Sequence, residues 1–298
     1  MSWNPFNTSV GLALGGGAAK GIAHIGVIQA FEEQGIEISY LSGTSIGALV
    51  AAYYAFGKST AEIAEVGQHL SFKSMTSFSW TKTGGFFTTD AIRKMVLDDL
   101  GDVQIEDANI PLAICTTDIV TGEQVTFEKG SLVDAICASV AVPGVFAPVE
   151  VNGRKLVDGG LVENVPVSLL DDLGAGILVA VDLNGVEKYP EPDGMLDVVG
   201  NAIDICMDLK TRAQLKRADV VISLDLSDYS RMDNKDKIYH LLNEGYLPAK
   251  RKIQRVLWFK RANLFWYLVK VLKELLPFKI PAFISTPFKP NFKSIKIK

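Results

Sequence analysis

The chain has 298 residues, of which 48% are hydrophobic and 21% charged, with a formal net charge of −4. This composition is typical of globular proteins and excludes disordered and collagen-like classes. The length predicts one large domain with additional segments, because single hydrophobic cores stop growing at about this size. We expect neither a membrane-spanning helix nor a signal peptide, since no stretch of about 18 apolar residues occurs and the first residues lack a basic and an apolar region.

Charge and cysteines constrain the partners and the compartment. The segment 250–298 contains 13 lysines and arginines and one acidic residue, so it carries +12 while the residues before it are net acidic. A basic tail on an acidic body indicates a polyanionic partner, either a membrane or a nucleic acid. The three cysteines are too scattered for a zinc site or a disulfide framework, and we expect each to be buried: Cys115, Cys137 and Cys206.

Short apolar runs alternate with helical patterns along most of the chain. The runs predict buried strands at 10–14, 40–41, 112–116, 177–183 and 220–224. Helices are predicted at 19–34, 47–56, 90–100, 132–138, 167–173 and 196–216. This alternation predicts an α/β fold in which helices cover both faces of a mainly parallel sheet.

The first candidate for catalytic chemistry is the G-x-S-x-G pattern of Gly43, Ser45 and Gly47, which follows a predicted strand. This spacing is typical of a tight strand-to-helix turn that exposes a serine Oγ at a helix N-terminus. Developing negative charge is favoured there. Taken alone, the pattern fits an ordinary serine helix cap at least as well.

A glycine-rich segment, 15–21, lies between the first strand and the first helix. Its successive backbone N–H groups could bind a phosphate or an oxyanion. A dinucleotide-binding loop would need G-x-G-x-x-G, and neither frame fits, because Lys20 and Ala18 occupy positions of required glycines. An oxyanion site or a plain turn is therefore the better interpretation.

Asp158 ends a short apolar run and is followed by Gly159 and Gly160, so it could be a placed functional carboxylate or an ordinary turn aspartate. A serine nucleophile usually has a histidine base, and the order Ser45, Asp158, His240 is that of α/β-hydrolases. In that fold about 100 residues precede the serine, whereas 44 precede Ser45. We therefore do not favour a histidine triad.

These motifs, in this order, resemble the patatin-like phospholipase family, particularly its compact bacterial members. The resemblance covers about residues 10–245. It includes GGGAAKGIAHIGVIQAFEEQGI from Gly15, GTSIG from Gly43, TTDIVTGE from Thr116, ASVAVPGVFAPV from Ala138 and VDGGLVENVP from Val157. The resemblance implies the family's three-layer α/β fold.

The resemblance also implies a Ser–Asp dyad without histidine, in which Ser45 is the nucleophile and Asp158 the base. It implies an oxyanion hole in the glycine loop, with one more donor at the start of the following helix: Gly15, Gly16, Gly17 and Ile46. Residues that support the motifs are Lys20, Gly21, Gly43, Gly47, Gly159 and Gly160. The family pattern more often has glycine at Ala18 and arginine at Lys20, and both departures are compatible with binding through backbone N–H groups. No cofactor and no metal ion are implied.

The implied function is hydrolysis of fatty-acyl esters of phospholipids or lysophospholipids through an acyl-enzyme. A carboxylesterase acting on smaller or neutral lipids is the alternative enzyme. A lipid-binding regulatory module without catalysis is the alternative outside enzymes. Nucleic acid is not an expected partner, because the body is acidic and its motifs are hydrolytic.

We predict a patatin-like domain at 8–249 and a basic, aromatic appendage at 250–298. Residues 253–275 lack proline and glycine and predict a helix. Its apolar stripe comprises Ile253, Val256, Leu257, Leu264, Leu268, Val271 and Leu275, and the other faces mix basic residues with Trp258, Phe259, Phe265 and Trp266. Aromatic and basic side chains suit lipid headgroups, so the appendage is predicted to bind an anionic membrane at its cytoplasmic face.

Overall fold

The computed structural model of the chain describes residues 7–69, 77–78, 87–186, 189, 191–229 and 235–275. The strands in this part are β1 (Val10–Leu14), β2 (Ile38–Thr44), β3 (Ser77–Phe78), β4 (Phe87–Thr88), β5 (Leu112–Asp118), β6 (Gln124–Phe127), β7 (Val149–Val151), β8 (Arg154–Asp158), β9 (Ile177–Asp182) and β10 (Val220–Ser223). The α-helices are α1 (Ile22–Glu33), α2 (Ile46–Ala55), α3 (Thr60–His69), α4 (Asp90–Leu100), α5 (Leu132–Ser139), α6 (Gly160–Glu163), α7 (Val167–Asp172), α8 (Met195–Gln214) and α9 (Ile238–Leu275).

The central sheet has the strand order β10-β9-β1-β2-β5-β8-β7, and β6 also pairs with β5. All neighbours from β10 to β5 are parallel, whereas β6, β7 and β8 join in antiparallel pairs. Strands of the parallel part are buried on both faces, which explains why they occur as continuous apolar runs in the sequence. The predicted mainly parallel α/β sheet is confirmed.

Side chains of β1 alternate between two cores, one on each face of the sheet. Leu12 and Leu14 join the large core together with residues of α1, α2 and α9. Ala13 joins the smaller core on the opposite face, beside Val167 and Leu170 of α7. The two cores make the sheet the middle of three layers.

Predicted and observed elements agree best where apolar runs are long. The strands predicted at 10–14, 112–116, 177–183 and 220–224 correspond to β1, β5, β9 and β10. The strand predicted at 40–41 is the middle of the longer strand β2. The sequence analysis did not predict the short antiparallel strands β6 and β7. Their side chains are partly exposed, so they lack the continuous apolar signal of the buried parallel strands.

The C-terminal helix α9 is longer than predicted and belongs to the packed body. It begins at Ile238 rather than Ile253 and includes Pro248. It crosses α1 so closely that a Cβ built at Gly26 would lie 1.9 Å from Leu242 O, and one at Gly245 would lie 1.8 Å from Ala23 O. The predicted start of the appendage at residue 250 therefore falls inside a helix that packs on the core. Among the helices described, none is both long enough and apolar enough to cross a membrane.

The apolar stripe predicted for this helix is correct only in its first part. Ile253 and Val256 are buried, but Leu264 and Leu268 are 51% and 50% exposed, and Phe259, which we expected on another face, is buried. The side chains of Val271 and Leu275 lie outside the described residues. The close crossing with α1 determines which face of α9 is buried. The ideal helical period predicted a buried stripe that is longer than the one observed.

Asn263 of α9 lies where the parallel strands begin. It is buried, and its Nδ2 donates a hydrogen bond of 2.7 Å to the carbonyl oxygen of Asn7, just before β1. Leu264, Phe265 and Leu268, which follow it on α9, are half-exposed.

Two of the three cysteines are buried as predicted. Cys115 lies on β5 and Cys137 on α5, both inside the cores. Cys206 is exposed, contrary to the prediction, because it lies on the outward face of α8.

Candidate active site

Three segments meet at the carboxyl edge of the parallel strands. The glycine loop follows β1, Ser45 follows β2, and Asp158 ends β8, where it pairs with Thr116 of β5. Because β1, β2, β5 and β8 are successive neighbours in the sheet, residues far apart in sequence become adjacent. Ligand sites of open α/β sheets commonly lie at this edge.

Ser45 occupies a strained turn between β2 and α2. Its φ of 55° and ψ of −126° lie in a region that serine rarely adopts, and such strain is typical of functional turns. Its backbone N–H donates to Ser139 Oγ at 2.8 Å, and that hydroxyl donates to the carbonyl oxygen of Cys115 at 2.7 Å. Ser139 was missed by the sequence analysis, although it lies in the quoted motif from Ala138.

The glycines around Ser45 allow a close approach of backbone segments. A Cβ at Gly47 would lie 2.1 Å from Leu14 O, and one at Gly43 would lie 2.5 Å from Ala48 Cα. A Cβ at Gly21 would lie 2.1 Å from Ile46 Cγ1. Any larger side chain at these positions would separate β1, the turn and α2.

Asp158 is a buried carboxylate beside the serine. Its Oδ1 accepts a hydrogen bond of 2.8 Å from the Gly160 N–H. Burial raises the pKa of Asp158 to about 6, although this hydrogen bond and the neighbouring Ser45 side chain oppose the shift. A Cβ at Gly159 would lie 2.4 Å from Cys115 O, so this glycine holds the aspartate turn against β5.

The glycine loop has fewer free donors than its sequence suggested. The N–H of Gly15 donates to Val181 O and that of Gly16 to Asn164 O, both at 3.1 Å. These two groups are therefore not free to bind an oxyanion, which corrects the expectation for them. Within the described residues, the N–H groups of Gly17 and Ala18 have no partner, and neither has that of Ile46 at the start of α2.

Neither histidine with a described side chain contacts Ser45. His24 is fully buried in α1, and its Nε2 donates to the carbonyl oxygen of Gly15 at 2.7 Å. Burial lowers the pKa of His24 to about 4, so the ring is neutral and braces the glycine loop. His240 is exposed in the first turn of α9.

Lys20 is buried behind the loop and interacts electrostatically with Asp208 of α8. Burial raises the pKa of Asp208, whereas a hydrogen bond from the Tyr189 hydroxyl and the charge of Lys20 oppose the shift. Lys20 thus connects the loop to α8.

Asn164 is a second residue that the sequence analysis missed. Its side chain is 1% exposed, and neither Oδ1 nor Nδ2 has a hydrogen-bond partner among the described residues. A Cβ at Gly16 would lie 2.6 Å from its Oδ1, and one at Gly160 would lie 3.2 Å from it. The amide therefore lies between the glycine loop and the aspartate turn, where a bound ligand could pair with it.

An apolar pocket adjoins the loop and the start of α2. Its walls come from α1, α2, α3 and the loop, and include Ala18, Ile22, Ile46, Leu49, Tyr53 and Ile63. The hydroxyl of Tyr53 donates to Asp99 at 2.6 Å, which satisfies its polar end. The remaining lining is apolar, and the cavity has room for only about one water molecule.

This fold and site define a class of protein. A serine at a strained strand-to-helix turn, a buried carboxylate beside it and free N–H groups nearby are the groups that a serine nucleophile site in an α/β protein requires. A family model for patatin-like phospholipases matches residues 12–171, more than half of the chain. The chain belongs to the patatin-like phospholipase family, as its motifs predicted.

The chain is similar to three curated relatives. It is 40% identical over 186 residues to an uncharacterised NTE family protein of Mycobacterium tuberculosis, covering 62% of this chain and 51% of that protein. It is 34% identical over 187 residues to lysophospholipase NTE1 of Saccharomyces cerevisiae, covering 60% of this chain and 11% of that protein. It is 33% identical over 183 residues to neuropathy target esterase sws of Drosophila melanogaster, covering 59% of this chain and 13% of that protein. The matches thus span about half of the first relative and a small part of the others.

Among solved structures, VipD from Legionella pneumophila is similar in fold. The TM-score is 0.52 at 14% sequence identity, and the match covers 87% of this chain and 67% of VipD. At this identity the likeness supports the three-layer α/β fold alone.

Proposed function

We propose that the chain is a serine hydrolase that cleaves fatty-acyl esters of phospholipids or lysophospholipids. The observation that carries the proposal is that Ser45, in a strained strand-to-helix turn, and the buried Asp158 carboxylate are neighbours at the carboxyl edge of the sheet. Family membership supports lipid esters as the substrate class, and the names of the yeast and fly relatives support an esterase that accepts lysophospholipids.

In the proposed mechanism, Asp158 takes the proton from Ser45 as its Oγ attacks the ester carbonyl. The N–H groups of Gly17, Ala18 and Ile46 stabilise the resulting oxyanion, since they have no other partner among the described residues. The alcohol part of the lipid leaves with the proton from Asp158. Water then attacks the acyl-enzyme and gives a proton to Asp158, which passes it to Ser45 Oγ as the bond between Oγ and the acyl carbon breaks and the fatty acid is released.

The apolar side chains around Ile46 and Ala18 are the surface that the acyl chain would contact during both steps, although the cavity between them has room for only about one water molecule. A longer chain would bury more apolar surface against them, at about 0.8 kcal/mol for each methylene group. Such contact would favour fatty-acyl esters over the short esters of the alternative carboxylesterase.

Fatty-acid release from lipids tests the proposal. Purified protein should release fatty acid from lysophosphatidylcholine or phosphatidylcholine in mixed micelles faster than it hydrolyses p-nitrophenyl butyrate at equal concentration. Preference for the butyrate would favour the alternative carboxylesterase. No turnover of either substrate, with lipid binding retained, would favour a regulatory module without catalysis.

The rate should depend on pH through Asp158, because only the ionised carboxylate can accept the serine proton. Burial raises its pKa to about 6, so kcat/KM should be constant above pH ~7 and should fall about tenfold for each pH unit below ~6. The measurement is a pH profile with a soluble ester, together with Tm at each pH to show that the fold persists. A flat profile between pH ~5 and ~8 would contradict Asp158 as the base.

We further propose that residues 250–298 tether the chain to the cytoplasmic face of an anionic membrane. Half-exposed Trp258 and Phe265 lie on the same helix as the exposed Arg251, Lys252 and Arg261. Each basic residue close to an anionic leaflet contributes about 1 kcal/mol. A truncation at residue 249 would remove the buried Ile253, Val256 and Phe259 as well, so surface substitutions or labels are the appropriate test.

A further inference from the structure

Helix α8 exposes apolar side chains along most of its length. Met195, Val198 and Leu209 are 79%, 53% and 60% exposed. These residues recur every three or four positions together with others on the same face, and we call this set the α8 stripe: Met195, Val198, Val199, Ala202, Ile205, Cys206 and Leu209. A surface helix normally turns its polar face to water, whereas α8 turns its apolar face to water.

The inward face of α8 is polar and bonded to the body. Asp208 and Thr211 are buried, and Asp208 accepts a hydrogen bond of 2.8 Å from the Tyr189 hydroxyl. Gln214 Nε2 donates to Val162 O at 2.6 Å. Rotation that buried the α8 stripe would break these bonds and leave polar groups unpaired, at a cost of about 1–3 kcal/mol for each. The stripe is therefore held outward.

Helix α8 also lies directly against the candidate site. It contacts α6, which begins immediately after the aspartate turn, and a Cβ at Gly160 would lie 2.3 Å from Met207 Cε. The N–H of Gly160 in turn donates to Asp158. Since a helix is about 10 Å across, a surface that covers the α8 stripe lies about one helix diameter from the reacting groups.

Exposed basic side chains occur near the C-terminal end of α8 and directly after it: Lys210, whose Nζ also donates to Leu161 O at 2.8 Å, Arg212, Lys216, and Arg217, which also pairs with Asp171. Basic and apolar side chains together are complementary to a bilayer with anionic headgroups. The β5–β6 turn adds Ile119 and Val120, 45% and 74% exposed, at the same carboxyl edge of the sheet. Asn263 of α9, in contrast, is bonded at the opposite edge of the sheet.

We propose that the α8 stripe is the surface by which the chain docks its catalytic edge on an anionic lipid bilayer. This inference rests on the proposed function, because it assigns the surface that brings lipid substrate to Ser45. The C-terminal segment then serves as a tether, whereas α8 sets the orientation of the site. Apolar side chains of the stripe insert among the acyl chains, and the basic end contacts the headgroups.

Cys206 allows a direct test, because it lies on the stripe while Cys115 and Cys137 are buried. We expect an NBD label on Cys206 to brighten, shift to shorter wavelength and be quenched by lipid-borne nitroxide when vesicles of phosphatidylcholine and phosphatidylglycerol are added. A second protein, Cys206→Ser with Leu264→Cys, carries the label on the proposed tether. If the protein sediments with the vesicles but the Cys206 label does not respond, the docking proposal is overturned. Failure of the wild-type protein to sediment with them would also overturn it.

Substitution of the stripe provides the functional test. Val198→Gln with Leu209→Gln should lower vesicle binding and fatty-acid release from vesicles at least tenfold, while kcat/KM for p-nitrophenyl butyrate and Tm remain unchanged. Leu247→Gln is the matched control, because this leucine is 54% exposed but lies on α9 before the proposed tether. Equal activity of the stripe variant and the control on vesicles would refute the proposal.

These outcomes separate the inference from the function on which it rests. If the Cys206 label inserts but wild-type protein releases no fatty acid from any lipid, the proposed function fails and the docking surface stands. If wild-type protein hydrolyses vesicle lipids and the stripe variant does so equally, the docking surface fails alone. A shift from dimer to monomer caused by the stripe substitutions, seen by sedimentation velocity, would assign the α8 stripe to a second copy and overturn the proposal.

Discussion

Replacing Ser45 by alanine is expected to lower kcat for ester hydrolysis by about 10⁴-fold or more, as is found for other nucleophiles that act together with a catalytic base. Asp158→Asn should have a comparable effect, because the amide cannot accept the serine proton. The double variant should be hardly slower than either single variant, since the two groups perform one proton transfer and attack. Single-turnover kinetics with a p-nitrophenyl ester measure all three variants.

Stability and a histidine variant provide the controls. Asp158→Asn removes a carboxylate whose ionisation is disfavoured by burial, so Tm should not fall below that of the wild type at pH ~8. His240→Gln, at an exposed position of α9, should retain nearly full turnover. If His240→Gln were as inactive as Ser45→Ala, or if Asp158→Asn kept a tenth of the activity, the dyad would be wrong.

Alanine at the crossing of α1 and α9 is expected to destabilise the whole body. A Cβ at Gly26 or Gly245 would lie within 2 Å of a backbone oxygen of the other helix, and a backbone cannot move aside as a side chain can. Overpacking usually costs about 1–3 kcal/mol, and a contact this short should reach the upper end of that range. Urea unfolding followed by circular dichroism measures the change in the free energy of unfolding.

Gly200→Ala is the matched control for this crossing. Gly200 also lies inside a helix, α8, but a Cβ there would have no heavy atom within 4 Å. Alanine should therefore stabilise the protein by about 0.5–1 kcal/mol through its higher helix propensity. If Gly26→Ala and Gly245→Ala were as harmless as this control, the close packing of α9 on α1 would be contradicted.

The sequence by itself identified the strands of the parallel sheet, the family and the two residues of the proposed dyad. Those features depend on local chemistry. A strand buried on both faces needs a continuous apolar run, as in Leu112–Asp118, and a serine turn this tight needs the small neighbours Gly43 and Gly47. Such requirements are visible in the residues concerned, without knowledge of what packs around them.

The tertiary structure alone decided which groups of the site are free and which are occupied. Gly15 and Gly16 donate to residues of other segments, Val181 and Asn164, so the pattern GGG could not reveal that their N–H groups are used. The raised pKa of Asp158 likewise results from burial by segments distant in sequence. Long-range packing also determined the orientation of α8, because Asp208 and Gln214 form hydrogen bonds with other segments, whereas the apolar residues of the α8 stripe stay exposed. Periodicity shows that a helix has two faces, but only its neighbours determine which face is turned outward.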